Sequence, residues 1–131
     1  MTYLPPFEQV KELFNISTMK GEVFVTAGYE NFVKAIQLLL AGVAVDEAWY
    51  LRRYPDVADA IKSGLVTSAQ RHFIENGYFE GRFPAEPSID EQWYLRQYPD
   101  VSESVSRGEF QSALRHFMQE GYREGRLPFA A

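Results

Sequence analysis

Cysteine is absent from the 131 residues. Disulfides, thiolate metal sites and a cysteine nucleophile are therefore excluded, and the absence fits a reducing compartment. Clustered positive charge is missing too: 18 acidic and 13 basic side chains leave a formal net charge of −5. A nucleic-acid partner is not expected from such a balance, because phosphate binding needs grouped Lys and Arg. Long apolar runs are lacking. No run exceeds four residues, as in Leu38-Leu39-Leu40-Ala41, far below the roughly 20 residues of a membrane span. Met1 to Pro6 carry neither the basic nor the apolar region of a standard signal peptide. The expectation is a cytoplasmic, soluble protein with no membrane insertion.

Aromatic residues, by contrast, are plentiful. Ten Phe, eight Tyr and two Trp make up 15% of a chain that is otherwise ordinary, at 46% hydrophobic and 24% charged. Each ring brings a large area with few rotatable bonds, so short helices pack firmly with them. The length suits about one domain and a real core.

Most of the rings fall in a segment that occurs twice. Asp46–Pro84 and Asp90–Pro128 align without a gap at an offset of 44, and 22 of the 39 positions are identical. A fixed period of this size marks a supersecondary unit that buries its apolar face against a neighbouring copy. The reading is all-α: two pseudo-symmetric three-helix units at 46–84 and 90–128, a linker at 85–89, and an N-terminal helical segment over 1–45.

Within the N-terminal segment, Pro5-Pro6 followed by apolar Phe7, Val10, Leu13 and Phe14 predicts a helix over 7–14. Residues 15–21 read as a polar break. Residues 22–26 have β-propensity but no visible partner, so they are a brief strand, an extended linker, or a strand pairing with a second chain's copy. Phe32, Val33, Ile36, Leu39 and Leu40 place a helix over 30–41, central to the core or to an interface, with Gly42 as its left-handed cap. In the repeat, Asp46 caps a helix over 47–54 that Pro55 stops. A second helix runs over 56–62 to Gly64, and a third, capped by Thr67 or Ser68, runs through Asn76 to Gly77. The corresponding breaks of the second copy are Pro99, Gly108 and Gly121.

Comparing the copies separates two sets. Trp49/Trp93, Leu51/Leu95, Val57/Val101, Ala69/Ala113 and Phe73/Phe117, with Tyr50/Tyr94, Tyr54/Tyr98 and Tyr78/Tyr122, have the spacing of a packing skeleton. Asp46/Asp90, Glu47/Glu91, Arg52/Arg96, Asp56/Asp100, Arg71/Arg115, His72/His116, Glu80/Glu124 and Arg82/Arg126 are retained polar residues. Asp46 and Asp56 stand at helix starts, where a carboxylate accepts free backbone N–H groups. Phe79 and Leu65 become Arg123 and Glu109, as expected for a terminal unit with a polar outer face, whereas Val66 becomes Phe110 and stays apolar.

His72 and His116 are the residues suited to proton transfer near neutral pH. No HExxH, HxH or carboxylate-flanked pair accompanies them, so no metal or cofactor is expected. A core or interface histidine bonded to a backbone carbonyl is the favoured reading. Nucleophile elbows and phosphate-cradling glycine runs are absent, and no catalytic residue is assigned. The candidate binding residues are Trp49, Tyr50, Arg52, Arg71, His72, Glu80 and Arg82, with Trp93, Tyr94, Arg96, Arg115, His116, Glu124 and Arg126. Trp and Tyr beside Arg, as in Trp49-Tyr50-Leu51-Arg52, have the makings of a stacking platform for sugar rings; the competing account is that they fill the core.

With Trp49-Tyr50-Leu51, Tyr54-Pro55-Asp56-Val57, Ala69 to Phe73 and Gly77 to Pro84 in view, the unit resembles a short helical repeat of bacterial polysaccharide-biosynthesis proteins. That repeat is often appended to glycosyltransferase-like chains. The resemblance covers about 80 of the 131 residues and leaves 1–45 outside it. It implies an accessory or adaptor role and carries over no catalytic residue. Three functional expectations follow. The first is a non-enzymatic protein-interaction or regulatory protein with a protein partner, including a homodimer through 1–45. The second is a carbohydrate or nucleotide-sugar binding module. The third is a small enzyme or regulator with a pocket between the repeats at His72 and His116.

Overall fold

Pro6 is extended and lacks an N–H, so α1 (Phe7–Lys11) begins directly after it. The structure, a computed structural model, describes residues 3–131. It is mostly helical with one two-stranded antiparallel sheet, and it divides into two compact units, one ending at Ala85 and one spanning Glu86–Ala131. Among the described residues, no helix is long and apolar enough to cross a membrane.

The sheet corrects one expectation, since 15–21 is not a polar break, and it supplies the partner that the possible strand at 22–26 lacked in the sequence. β1 (Asn15–Met19) pairs with β2 (Glu22–Thr26), Ile16 opposite Val25 and Thr18 opposite Val23. Lys20 and Gly21 both have left-handed φ, 52° and 78°, the two-residue hairpin turn whose twist matches its strands. Helix α1 consequently stops at Lys11, short of the expected residue 14.

Helix α2 (Tyr29–Leu40) buries Ala35 and Leu40 and leaves Phe32 and Leu39 exposed. Gly42 has no positive φ and is not a left-handed cap. Its missing side chain admits the chain's start: Tyr3 N–H donates to Ala41 O at 3.0 Å, and a Cβ on Gly42 would stand 3.3 Å from Tyr3 O.

In the first unit, Asp46 accepts from Trp49 N–H at 3.1 Å and opens α3 (Glu47–Arg53). Pro55 ends it and occupies the first turn of α4 (Pro55–Lys62), which closes at left-handed Gly64. Ser68 caps α5 (Ala69–His72), which widens into a π turn over Phe73–Gly77. Leu40, Tyr50, Val57, Ala69 and Phe73 form the buried core, with Ile36, Val43, Val45 and Ile61 among the residues packed on it. Helix α2 and the segment after it thus belong to this core.

The second unit has α6 (Glu91–Gln97), α7 (Pro99–Ser106), α8 (Ala113–His116), a π turn over Phe117–Gly121 and α9 (Tyr122–Glu124). Tyr94, Val101, Ala113 and Phe117 are its buried apolar residues. Val66 and Phe110 diverge for a visible reason: the Phe110 ring meets His116 edge-on, centroids 4.9 Å apart.

Gly77 and Gly121 are not helix stops. Both are buried and continue into residues of right-handed helical backbone. A Cβ on Gly77 would collide with the Tyr50 hydroxyl, and one on Gly121 with that of Tyr94. The positive-φ positions that end these segments are Gly81 and Gly125.

Candidate functional site

Part of the retained polar set (Asp56, His72, Glu80 and Arg82, with Tyr50) assembles into a network in the first unit. Tyr50, fully buried on α3, sets its hydroxyl 2.8 Å from His72 Nδ1. The expected backbone carbonyl partner for the histidine is therefore replaced by a phenol. Burial pushes the Tyr50 hydroxyl up to about 12, so it keeps its proton. The hydroxyl and Nδ1 share one hydrogen bond, and the other ring nitrogen, Nε2, lies 3.9 Å from Glu80. Burial, with Arg82 nearby, holds the His72 pKa below the ordinary imidazole value, against the opposing pull of Glu80.

Arg82 folds the tail of the unit back onto its first two helices. Its Nη1 and Nη2 donate to the two Asp56 oxygens at 3.0 and 2.8 Å, and its Nε lies 3.2 Å from Glu80. The guanidinium also sits 4.9 Å from the Tyr54 ring centroid. Tyr54 Oη accepts from Phe83 N–H at 2.9 Å, and Asp46 N–H donates to Pro84 O at 3.0 Å. Asp46 caps a helix as expected, whereas Asp56 gives its oxygens chiefly to Arg82, whose hydrogen bonds hold the carboxyl below the usual range.

Forty-four residues on, the same partners meet again. Tyr94 Oη is 2.8 Å from His116 Nδ1. Arg126 reaches Asp100 at 3.0 and 2.7 Å and Glu124 at 3.1 Å. Tyr98 Oη accepts from Leu127 N–H at 2.9 Å, and the Arg126 guanidinium lies 4.9 Å from the Tyr98 ring.

The remaining candidates do not join these networks. Arg52, Arg96, Arg71 and Arg115 are exposed, and Arg71 pairs with Glu75 at 3.1 Å. Trp49 and Trp93 are half-buried, each edge-on to Tyr54 or Tyr98 at 6.1 Å. Tyr50 and Tyr94 are buried and expose no face to a sugar ring, so these two rings belong to the core. A groove of about 450 Å³ in the first unit is lined by Leu13, Leu38 and Ile74 together with Lys34, Arg71 and Glu75; the histidine is not among its lining residues.

One residue escaped the sequence comparison. Glu120 stands where the first copy has Asn76, and with His116 and Glu124 it forms the one group of three metal-ligating side chains found among the described residues, ligand atoms within 4.8 Å. A comparison restricted to retained positions passes over it; the helical spacing 116, 120, 124 was the available signal. Family models, curated proteins and solved structures were compared with the chain, and none matches it.

Proposed function

We propose that this chain is a non-enzymatic interaction protein, built from two copies of one helical unit, that pairs with a second copy of itself through its N-terminal hairpin. The carrying observation is the hairpin's uncovered face. Ile16, Thr18, Val23 and Val25 lie on one side by register, and every residue of both strands is exposed, Val23 by 64% and Val25 by 59%. An isolated two-stranded hairpin is marginal in water, and β-branched side chains on a pleated face gain stability by packing on another face. Self-association suits this patch because it is nearly neutral. Lys20 and Glu22 are the only charges on the hairpin, and a two-fold pairing presents the same surface from both sides.

The two-copy architecture is supported by the recurring Tyr–His and Arg–Asp geometry. These networks hold each unit together, which also favours a scaffold over a catalyst. A role in the cytoplasm, accessory to polysaccharide biosynthesis, rests on the resemblance of the repeat. Sedimentation equilibrium of the full chain tests the self-pairing. A dimer is expected, and Val25→Lys, which places a charge on the apolar face, is expected to give monomers with unchanged helical circular dichroism. A wild-type chain that stays monomeric up to its solubility limit refutes the reading.

A further inference from the structure

The second unit carries an arrangement that the first lacks, although the two share their network. His116 and Glu124 correspond to His72 and Glu80, but Glu120 replaces Asn76. We propose that His116, Glu120 and Glu124 form a site for one divalent transition-metal ion of the zinc class, with water completing the coordination.

The histidine is the fixed member. It is 4% exposed, its Nδ1 is engaged by Tyr94 Oη at 2.8 Å, and Phe110 packs edge-on against the ring. A ligating imidazole ordinarily has its second nitrogen held in this way, which sets ring orientation and tautomer. Nε2 is the nitrogen left over, and in the sister unit Nε2 is the atom that faces the equivalent glutamate, at 3.9 Å. On metal binding the imidazole proton sits on Nδ1 and is donated to Tyr94 Oη, which accepts.

The carboxylates are the adjustable members. Glu120 and Glu124 are both exposed and follow His116 by one and two helical turns. Ligand atoms at zinc–ligand distances of about 2.0–2.2 Å stand roughly 3.3 Å apart in a tetrahedron. The present atoms lie within 4.8 Å of one another, a gap that side-chain rotation of exposed glutamates closes. Two cations border the group. Arg126 donates to Glu124 Oε2 from Nη2 at 3.1 Å and Nε at 3.3 Å, leaving Oε1 uncommitted to that pair, and its own charge is shared with Asp100. Arg123 Nη2 donates to Gln119 O at 2.8 Å. One imidazole nitrogen with two carboxylates suits zinc-class ions better than calcium or magnesium, which favour all-oxygen shells.

Isothermal titration of the full, tag-free chain with zinc ion alone tests the site, with cobalt(II) absorption as a spectroscopic check. Saturable binding of one ion per chain is expected, with visible cobalt bands. Glu120→Asn, which installs the first unit's side chain at an exposed position, is expected to weaken binding by more than about tenfold, the scale lost when even an outer-shell partner of a metal is removed. Unchanged melting of that variant will show that the loss is local. Absence of one-to-one binding in the wild type, or Glu120→Asn binding as tightly as the wild type, overturns the proposal.

Discussion

Replacing Gly77 by alanine puts a methyl group where the Tyr50 hydroxyl already is. The added Cβ also meets Phe73 Cδ1 at 3.3 Å and His72 Nδ1 at 3.4 Å. The hydroxyl is the tip of a ring with no exposed surface, so the ring cannot swing aside into solvent. Overpacking of this kind costs about 1–3 kcal/mol, while alanine in a helical turn recovers up to about 1 kcal/mol over glycine. A net loss of roughly 1–2 kcal/mol is expected, on the order of 1 M in urea midpoint for an ordinary slope. Tyr50→Phe alone removes the bond to His72 and costs about 1 kcal/mol. The double variant is the deciding one. With the hydroxyl gone, the methyl has room, so the combined loss is expected to fall below the sum of the two by about 1 kcal/mol or more. Urea unfolding followed by circular dichroism measures all three. A neutral or stabilising Gly77→Ala, or strict additivity with Tyr50→Phe, refutes the packing argument.

Three further outcomes are expected. Because burial depresses the His72 pKa, the unfolded chain binds its proton at a higher pH than the folded one. Stability from the neutral ring is therefore complete above about pH 6.5 and lost as pH falls below it. Ring-proton NMR, assigned with His72→Gln, is expected to show titration below that value; titration at or above it contradicts the reading. Arg82→Lys keeps the charge but loses the two-pronged bond to Asp56, whose side chain is 61% exposed, so the expected cost is modest, about 1 kcal/mol in urea unfolding; a loss above about 3 kcal/mol would mean that the clasp is more than an exposed pair. Lys20→Gly relieves the left-handed turn residue, at φ 52°, and is expected to slow hydrogen exchange of the hairpin amides; faster exchange argues against the turn geometry.

Helix placement was largely legible, because caps and prolines act locally. Asp46 and Asp90, Pro55 and Pro99, and Gly64 and Gly108 act where the sequence puts them. The hairpin was missed because Lys20-Gly21 is a weaker turn signal than Asn-Gly, and because polar Asn15, Ser17 and Thr18 obscure a strand that buries nothing. Gly77 was misread as a stop, since a glycine that avoids a hydroxyl looks the same in sequence as one that ends a helix. Which of the retained polar residues meet was not legible, because Tyr50 and His72, Asp56 and Arg82, and Tyr54 and Phe83 lie 22 to 29 residues apart, a separation that no local pattern reports.

The amino-acid sequence by itself determined the duplication, the helix boundaries set by proline and capping side chains, and the division into a packing skeleton and a retained polar set. Each depends on neighbours within a turn or on comparison of one copy with the other. Tertiary structure decided what the polar set does, because a Tyr–His bond and an Arg–Asp clasp exist only once α3, α4 and the unit's tail are folded together. It also decided that the β-branched face of the hairpin stays uncovered. Last, it brought Glu120 to a histidine whose ring Tyr94 and Phe110 already hold.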